Sequence, residues 1–320
     1  MSLSPARRIL VVALVLLLRS APVRAVTPDP KILGLVPRET QILCGIKPAP
    51  PGNRHGRFVL ITPKNAKDMQ DFRSLSGSDA TRHIYEVLFA SKSGDPGDPE
   101  EHSLLVSGHF DQARIYRSAI DGGGTSTDYR GFRVVAIKPF ARNQDGMDEV
   151  RWLAVPDSSV LVLGTVASVM EELDQRLNPA APDPRLMQML GALRRDDDAW
   201  SVVLGAKNSG IREALTALSP DLAKLADAKV LRLGIRYAHS IEFEYAIDPA
   251  PASDKPAAPD SAVSPEDASM PGSFSLLPSL ALDTGNNGSA HGVVKVPKDL
   301  YDRWLEEVSR RARERWGTSP

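Results

Sequence analysis

The sequence predicts an α+β fold of mainly antiparallel sheets with helices between some of the strands. Three observations carry that reading. Short runs of alternating apolar and polar residues are joined by tight turn signals, as hairpins require. Segments with apolar residues three and four apart fall between some of those runs, one of them opened by a capping aspartate. The order strand–helix–strand–strand can also be read twice along the 320 residues, which is consistent with a structural duplication, although no residue-level identity links the two halves.

The first unit is expected over residues 26–195. Its strands are predicted at 41–47, 57–62, 84–91, 103–109, 132–138, 150–155 and 160–163. Helices are predicted at 65–75, at 112–120 behind the capping Asp111, and at 166–177, where Met170, Leu173 and Leu177 form one apolar face. Tyr129-Arg130-Gly131 and Pro156-Asp157-Ser158 read as turns, and the acidic, Pro/Gly-rich stretch 94–101 as a solvated loop.

The second unit is expected over 196–320. It opens with a strand at 200–207, followed by helical segments at 209–218 and 221–226. Segments 230–237 and 241–247 alternate apolar with polar residues and read as an antiparallel hairpin. Residues 249–272 interrupt the unit. Pro249, Pro251, Pro256, Pro259, Pro265 and Pro271 are spread there among Ala, Ser and Asp, a composition unable to bury enough apolar surface to offset its ordering entropy, so a flexible linker is expected. A strand at 292–296 and a helix from Pro297 to about Trp316 close the chain.

Residues 1–25 read as a cleavable export signal. Arg7 and Arg8 precede the unbroken apolar run Ile9–Leu18. Ten helical residues rise only about 15 Å, half of what a bilayer core requires. Val23 and Ala25 suit the −3 and −1 pockets of a signal peptidase, so the mature chain is expected to begin at Val26 with no stable membrane span. The single cysteine, Cys44, is not at the cleavage point, which argues against a lipid anchor. It sits in the apolar run 41–46 and reads as a small buried hydrophobe. Arg7, Arg8, Arg19 and Arg24 leave with the signal, so Lys+Arg falls from 39 to 35 against 40 Asp+Glu and the net charge moves from −1 to −5. A general nucleic-acid binder would want a basic face instead.

No compact chemical motif stands out. His102, His109 and Asp111 come nearest to a metal set, yet the strand between the two histidines separates them by about 20 Å if extended, and Asp111 already has a capping role. No Gly-x-Ser-x-Gly elbow occurs. Asp121-Gly122-Gly123-Gly124-Thr125 lacks the lysine of a phosphate loop and follows a helix where such a loop precedes one. Asp196-Asp197-Asp198 lacks the alternating ligands of a calcium loop. No cofactor is expected.

The most distinctive surface is the last helix. Leu300, Trp304, Val308, Ala312 and Trp316 recur every four residues, with Asp302, Glu306, Glu307, Arg310, Arg311, Arg313 and Arg315 on the other faces. This stripe is expected to pack on the sheet of the second unit. The alternative is docking to a partner or to an anionic membrane surface through Leu300, Trp304, Val308 and Trp316. The functional expectation is an exported, non-enzymatic envelope protein, periplasmic or extracellular, that binds or scaffolds a protein partner. The alternative is an exported hydrolase whose catalytic residues come from distant segments.

Overall fold

Every strand described in the computed structural model joins one antiparallel sheet. Residues 27–47, 83–93, 102–137, 151–204, 230–237, 240–248 and 290–303 are described. The strands are β1 (Ile42–Ile46), β2 (Ile84–Ser91), β3 (His102–Gly108), β4 (Thr125–Tyr129), β5 (Phe132–Ile137), β6 (Arg151–Asp157), β7 (Val160–Gly164), β8 (Ala199–Leu204), β9 (Val230–Tyr237), β10 (Ser240–Asp248) and β11 (Ala290–Pro297). The helices are α1 (Pro30–Leu33), α2 (Gln112–Asp121), α3 (Val166–Leu177) and α4 (Pro184–Gly191). Residues 298–303 are also helical.

The spatial order is β11-β10-β9-β8-β1-β2-β3-β7-β6-β5-β4. β1 therefore lies between β2 and β8, and hydrogen bonds run without a break from strands of the first expected unit into strands of the second. The α+β, antiparallel character expected from the sequence is what the chain adopts.

The period-2 alternation of the strands decides which side chains are buried on each face. On one face Leu43, Leu88, Leu105, Val134, Ala154, Val162 and Trp200 form a core closed by Ile32 of α1, Val169 and Leu173 of α3, and Leu186 and Leu190 of α4. On the other face Val87, Val106, Val135, Leu153 and Leu161 pack against Ile115, Tyr116 and Ala119 of α2. Further along that second face, Ile42, Ile46, Val203, Leu231, Ile235, Ile241, Phe243 and Tyr245 gather with Tyr301.

Side-chain caps fix the helix starts. Asp111 Oδ1 accepts from the Arg114 amide at 3.0 Å, as expected from the sequence, and Thr165 and Asp183 cap α3 and α4 in the same way.

Three details correct the sequence reading. β6 runs through Asp157, so the reversal is made by Ser158-Ser159 and not by Pro156-Asp157-Ser158; Asp157 Oδ1 holds the turn by accepting from both the Ser159 amide (2.7 Å) and its hydroxyl (2.6 Å). The buried face of α3 is Val169, Glu172 and Leu173, while Met170 is half-buried and Leu177 is 46% exposed. The sequence reading has no strand between Asp121 and Tyr129, yet Gly122, Gly123 and Gly124 donate back to Ser118, Ile120 and Ala119 and the chain enters β4 at once. The linker 249–272, the strand at 57–62 and the helices at 65–75, 209–218 and 221–226 lie outside the described residues.

Two close approaches shape the sheet. Trp200 on β8 stands directly opposite Gly45 on β1 and Gly234 on β9. The indole lies over Gly45, so a Cβ there would fall on the ring, and the Asp197 carboxylate occupies the corresponding place over Gly234. At the far edge, β4 and β5 are joined by Arg130 (φ 50°) and Gly131 (φ 86°), both left-handed, as a type I′ hairpin turn demands.

Candidate functional site

The face of β9, β10 and β11 opposite the Tyr301 core carries a network of ionisable side chains. The cause is plain in β10: Ile241, Phe243, Tyr245 and Ile247 turn into the apolar cluster, so Glu242 and Glu244 turn the other way. By register, Arg236 on β9 and Lys295 on β11 flank Glu242. The segment between α4 and β8 adds Arg194, Asp196 and Asp197 to the same face.

These groups satisfy one another. Arg236 bridges Asp196 (2.5 Å) and Glu242, and Lys295 reaches Glu242 at 3.0 Å. Arg194 pairs with Glu244 and approaches Glu242 at 3.9 Å, while His291 lies 3.2 Å from Glu244. The hydrogen bond from Lys295, followed by that from Arg236, holds the Glu242 carboxyl below its ordinary range. The hydrogen bonds that Arg236 donates to Asp196 and Glu242 raise its guanidinium in turn. Asp197 is 3% exposed. Burial pushes its carboxyl up to about 6, opposed by the Arg194 amide and assisted by the neighbouring charges of Glu244 and Asp196. It is locked over Gly234 and accepts from the Arg194 amide at 3.1 Å, so it serves the fold rather than a substrate.

Two further carboxylates are buried elsewhere. Glu86 on β2 accepts from the Asp29 amide at 2.6 Å and thereby ties the start of α1 to the sheet. Burial raises its carboxyl, and the Asp29 amide works against that rise. Glu172 on α3 is fully buried and accepts from the Ser103 hydroxyl of β3, while its Oε2 has no hydrogen-bond partner. Burial drives it well above the usual carboxylate range, against the Ser103 hydrogen bond; Glu171 adds to the rise and Lys92 opposes it. Among the described residues neither Ser103 nor Glu172 pairs with a histidine, and both are buried, Ser103 at 2% exposure.

Glu172 makes stability depend on pH with a definite sign. The folded protein holds this proton more tightly than the unfolded chain, whose carboxyl titrates near 4.5. Its contribution is therefore complete below about that pH and is lost as pH rises through the higher folded value. Glu172→Gln keeps a partner for Ser103 and removes the charge. It is expected to raise stability at pH 8 by about 1–3 kcal/mol, the size of the penalty for an unmet buried polar group, and to leave stability at pH 4 nearly unchanged. Urea melts at the two pH values check this. Equal effects at both would show that the carboxylate is not the source.

The residues singled out from the sequence are dispersed. His102 opens β3, stacks 5.5 Å from the Phe89 ring and lies 2.9 Å from Arg151, while His109 follows the far end of the same strand and donates its amide to the His83 carbonyl. The strand thus holds the two histidines apart. Among the described residues no three His, Cys, Asp or Glu side chains gather as a metal set. Cys44 sits against Ser201 Oγ at 3.2 Å, and burial pushes its thiol up to about 11, which makes it a poor nucleophile. Leu300 is half-buried and packs on the Tyr301 cluster, as the packing reading requires at that position. Trp304, Val308 and Trp316 lie outside the described residues. No described helix is long and apolar enough to cross a membrane.

Sequence reasoning missed the charged face as a unit, although its signal was the Glu242/Glu244 alternation inside an aromatic strand. It also missed Glu172, which looks like any helix-surface glutamate when read in one dimension.

No protein-family model matches the chain, and no curated protein shows significant similarity to it. Among solved structures, crystal form I of TP0453 aligns with 88% of this chain and 99% of that one at 13% identity and a TM-score of 0.43. A likeness of that size carries no argument about function.

Proposed function

We propose that this is an exported, non-enzymatic envelope protein, periplasmic or extracellular, that binds or scaffolds a partner. The observation that supports the reading is the charged face of β9–β11. It displays Lys295, His291 and Val293 to solvent beside the ion pairs of Glu242 and Glu244, while the buried Ser103, Glu172 and Asp197 are committed to the fold. A binding surface needs displayed, oriented charge, which steers encounter and selects partners. An enzyme needs a nucleophile or an acid/base pair open to substrate; on this face the exposed His291–Glu244 pair is drawn into the ion-pair network through Arg194.

The test is a photo-crosslinking residue placed at Val293, which is 40% exposed, with a control at Met187 on α4, which is 38% exposed. In intact cells the Val293 position is expected to give a discrete adduct that the Met187 position does not give. No adduct at either position, together with turnover of ester, peptide or phosphate-ester substrates by the purified mature chain, would overturn the proposal in favour of a hydrolase with a dispersed site.

A further inference from the structure

The two edges of the sheet are built differently. β11 presents His291, Lys295 and Pro297, the charged and proline residues that keep a sheet edge from adding another strand. β4, Thr125-Ser126-Thr127-Asp128-Tyr129, has neither lysine nor proline, and its first four residues are exposed. Three of its five residues are threonine or tyrosine, types that favour strands. Among the described residues nothing pairs with its outer side.

The hairpin geometry says which backbone groups are free. A two-residue type I′ turn closes on a hydrogen-bonded pair, here Tyr129 with Phe132. Hydrogen-bonded and non-hydrogen-bonded pairs then alternate along an antiparallel ladder. Thr125, Thr127 and Tyr129 therefore spend their amides and carbonyls on β5, whereas Ser126 and Asp128 turn theirs outward. The amide of Gly124 is already taken by the Ala119 carbonyl at 2.9 Å, so the free edge begins at β4 itself.

This short edge is complementary to itself. Lay a second β4 antiparallel to the first with the two-fold axis at Thr127. Ser126 of each copy then faces Asp128 of the other as a hydrogen-bonded pair, each residue both donating and accepting, which makes four backbone hydrogen bonds in all. Side by side, each Ser126 hydroxyl can donate to the opposing Asp128 carboxylate. The two Asp128 carboxylates do not face each other, and Thr127 meets Thr127 as the close, non-hydrogen-bonded pair that suits threonine. An isologous contact of this kind closes on itself and stops at two.

We infer that β4 is a homodimerisation edge, through which two copies of this chain join their sheets across a two-fold axis at Thr127. The inference does not depend on the proposed role of the β9–β11 face. A strand pair of this length belongs with weak, transient interfaces, so it is read at high concentration.

The experiment is sedimentation equilibrium of the mature chain from about 10 µM to about 1 mM, the span in which micromolar-to-millimolar association appears. Wild type is expected to move from monomer towards dimer. Thr127→Lys and Thr127→Glu, each placing like charges together at the axis, are expected to remain monomeric alone and to recover dimer when mixed one to one. Ser126→Pro provides a second variant: it spares every bond to β5 and removes two of the four between copies. Circular dichroism confirms that each variant is folded. The inference is overturned if wild type stays monomeric throughout, or if all variants associate like wild type, which would place the contact on another surface. Growth beyond dimer would overturn it too, since open-ended assembly needs β4 to pair with a different edge.

Discussion

Trp200→Ala is expected to cost about 3–5 kcal/mol, the range for truncating a large aromatic in a packed core. Trp200 is 2% exposed and belongs to the cluster that joins α1, α3 and α4 to the sheet. The more informative measurement couples it to Gly45. In wild type, Gly45→Ala drives a methyl onto the indole of a strand neighbour in register, and overpacking of this kind costs roughly 1–3 kcal/mol. In the Trp200→Ala background the same methyl enters the space the ring has left, so Gly45→Ala is expected to be neutral or stabilising. A double-mutant cycle by denaturant unfolding reads the coupling directly. Additive effects would mean that the absence of a side chain at Gly45 serves something other than the ring.

Tyr301→Ala is expected to cost a similar amount, about 3–5 kcal/mol. Tyr301 is fully buried, with its ring 5.8 Å from Tyr237 and 6.1 Å from Phe243, and its hydroxyl lies 2.9 Å from that of Tyr237. Burial pushes the phenol up to about 12. Tyr301→Phe keeps the ring and loses only the polar contact, so it should cost about 1 kcal/mol. Chemical denaturation of the two variants separates packing from hydrogen bonding. A loss below about 1 kcal/mol for the alanine variant would detach residues 298–303 from the core and restore this helix as a docking element.

The contrast between these two residues shows what could be read in one dimension. Strand 230–237 and helix 166–177 were legible to the residue, because alternation and helical spacing are local and strong. The stripe through Leu300 pointed to the correct segment yet passed beside Tyr301, which a spacing of four assigns to another face. Strand β4 escaped because Thr-Ser-Thr-Asp-Tyr has no apolar alternation: it lies on an edge and is wet on most of its length. The single sheet was not legible either. Pairing of β1 with β8 is a long-range event, and neither strand records its partner. Glu172 and Asp197 gained their character from burial, which belongs to the folded chain and not to the sequence around them.

The central place of β1 has a consequence for how the chain reaches this structure. Ile42 and its partner Val203 are about 160 residues apart in sequence. Closing so long a loop adds little to the equilibrium cost, because the entropy grows only with the logarithm of length. It does slow folding, since non-local pairing must be searched for before it is rewarded. Until β8 arrives, Ile42-Leu43-Cys44-Gly45-Ile46 is an apolar sheet edge with no lysine or proline to guard it. A chain ended before Ala199 would retain β1 to β7 and keep that edge open permanently. Such a chain is expected to add strands intermolecularly at β1, whereas in the whole sheet β8 covers that edge.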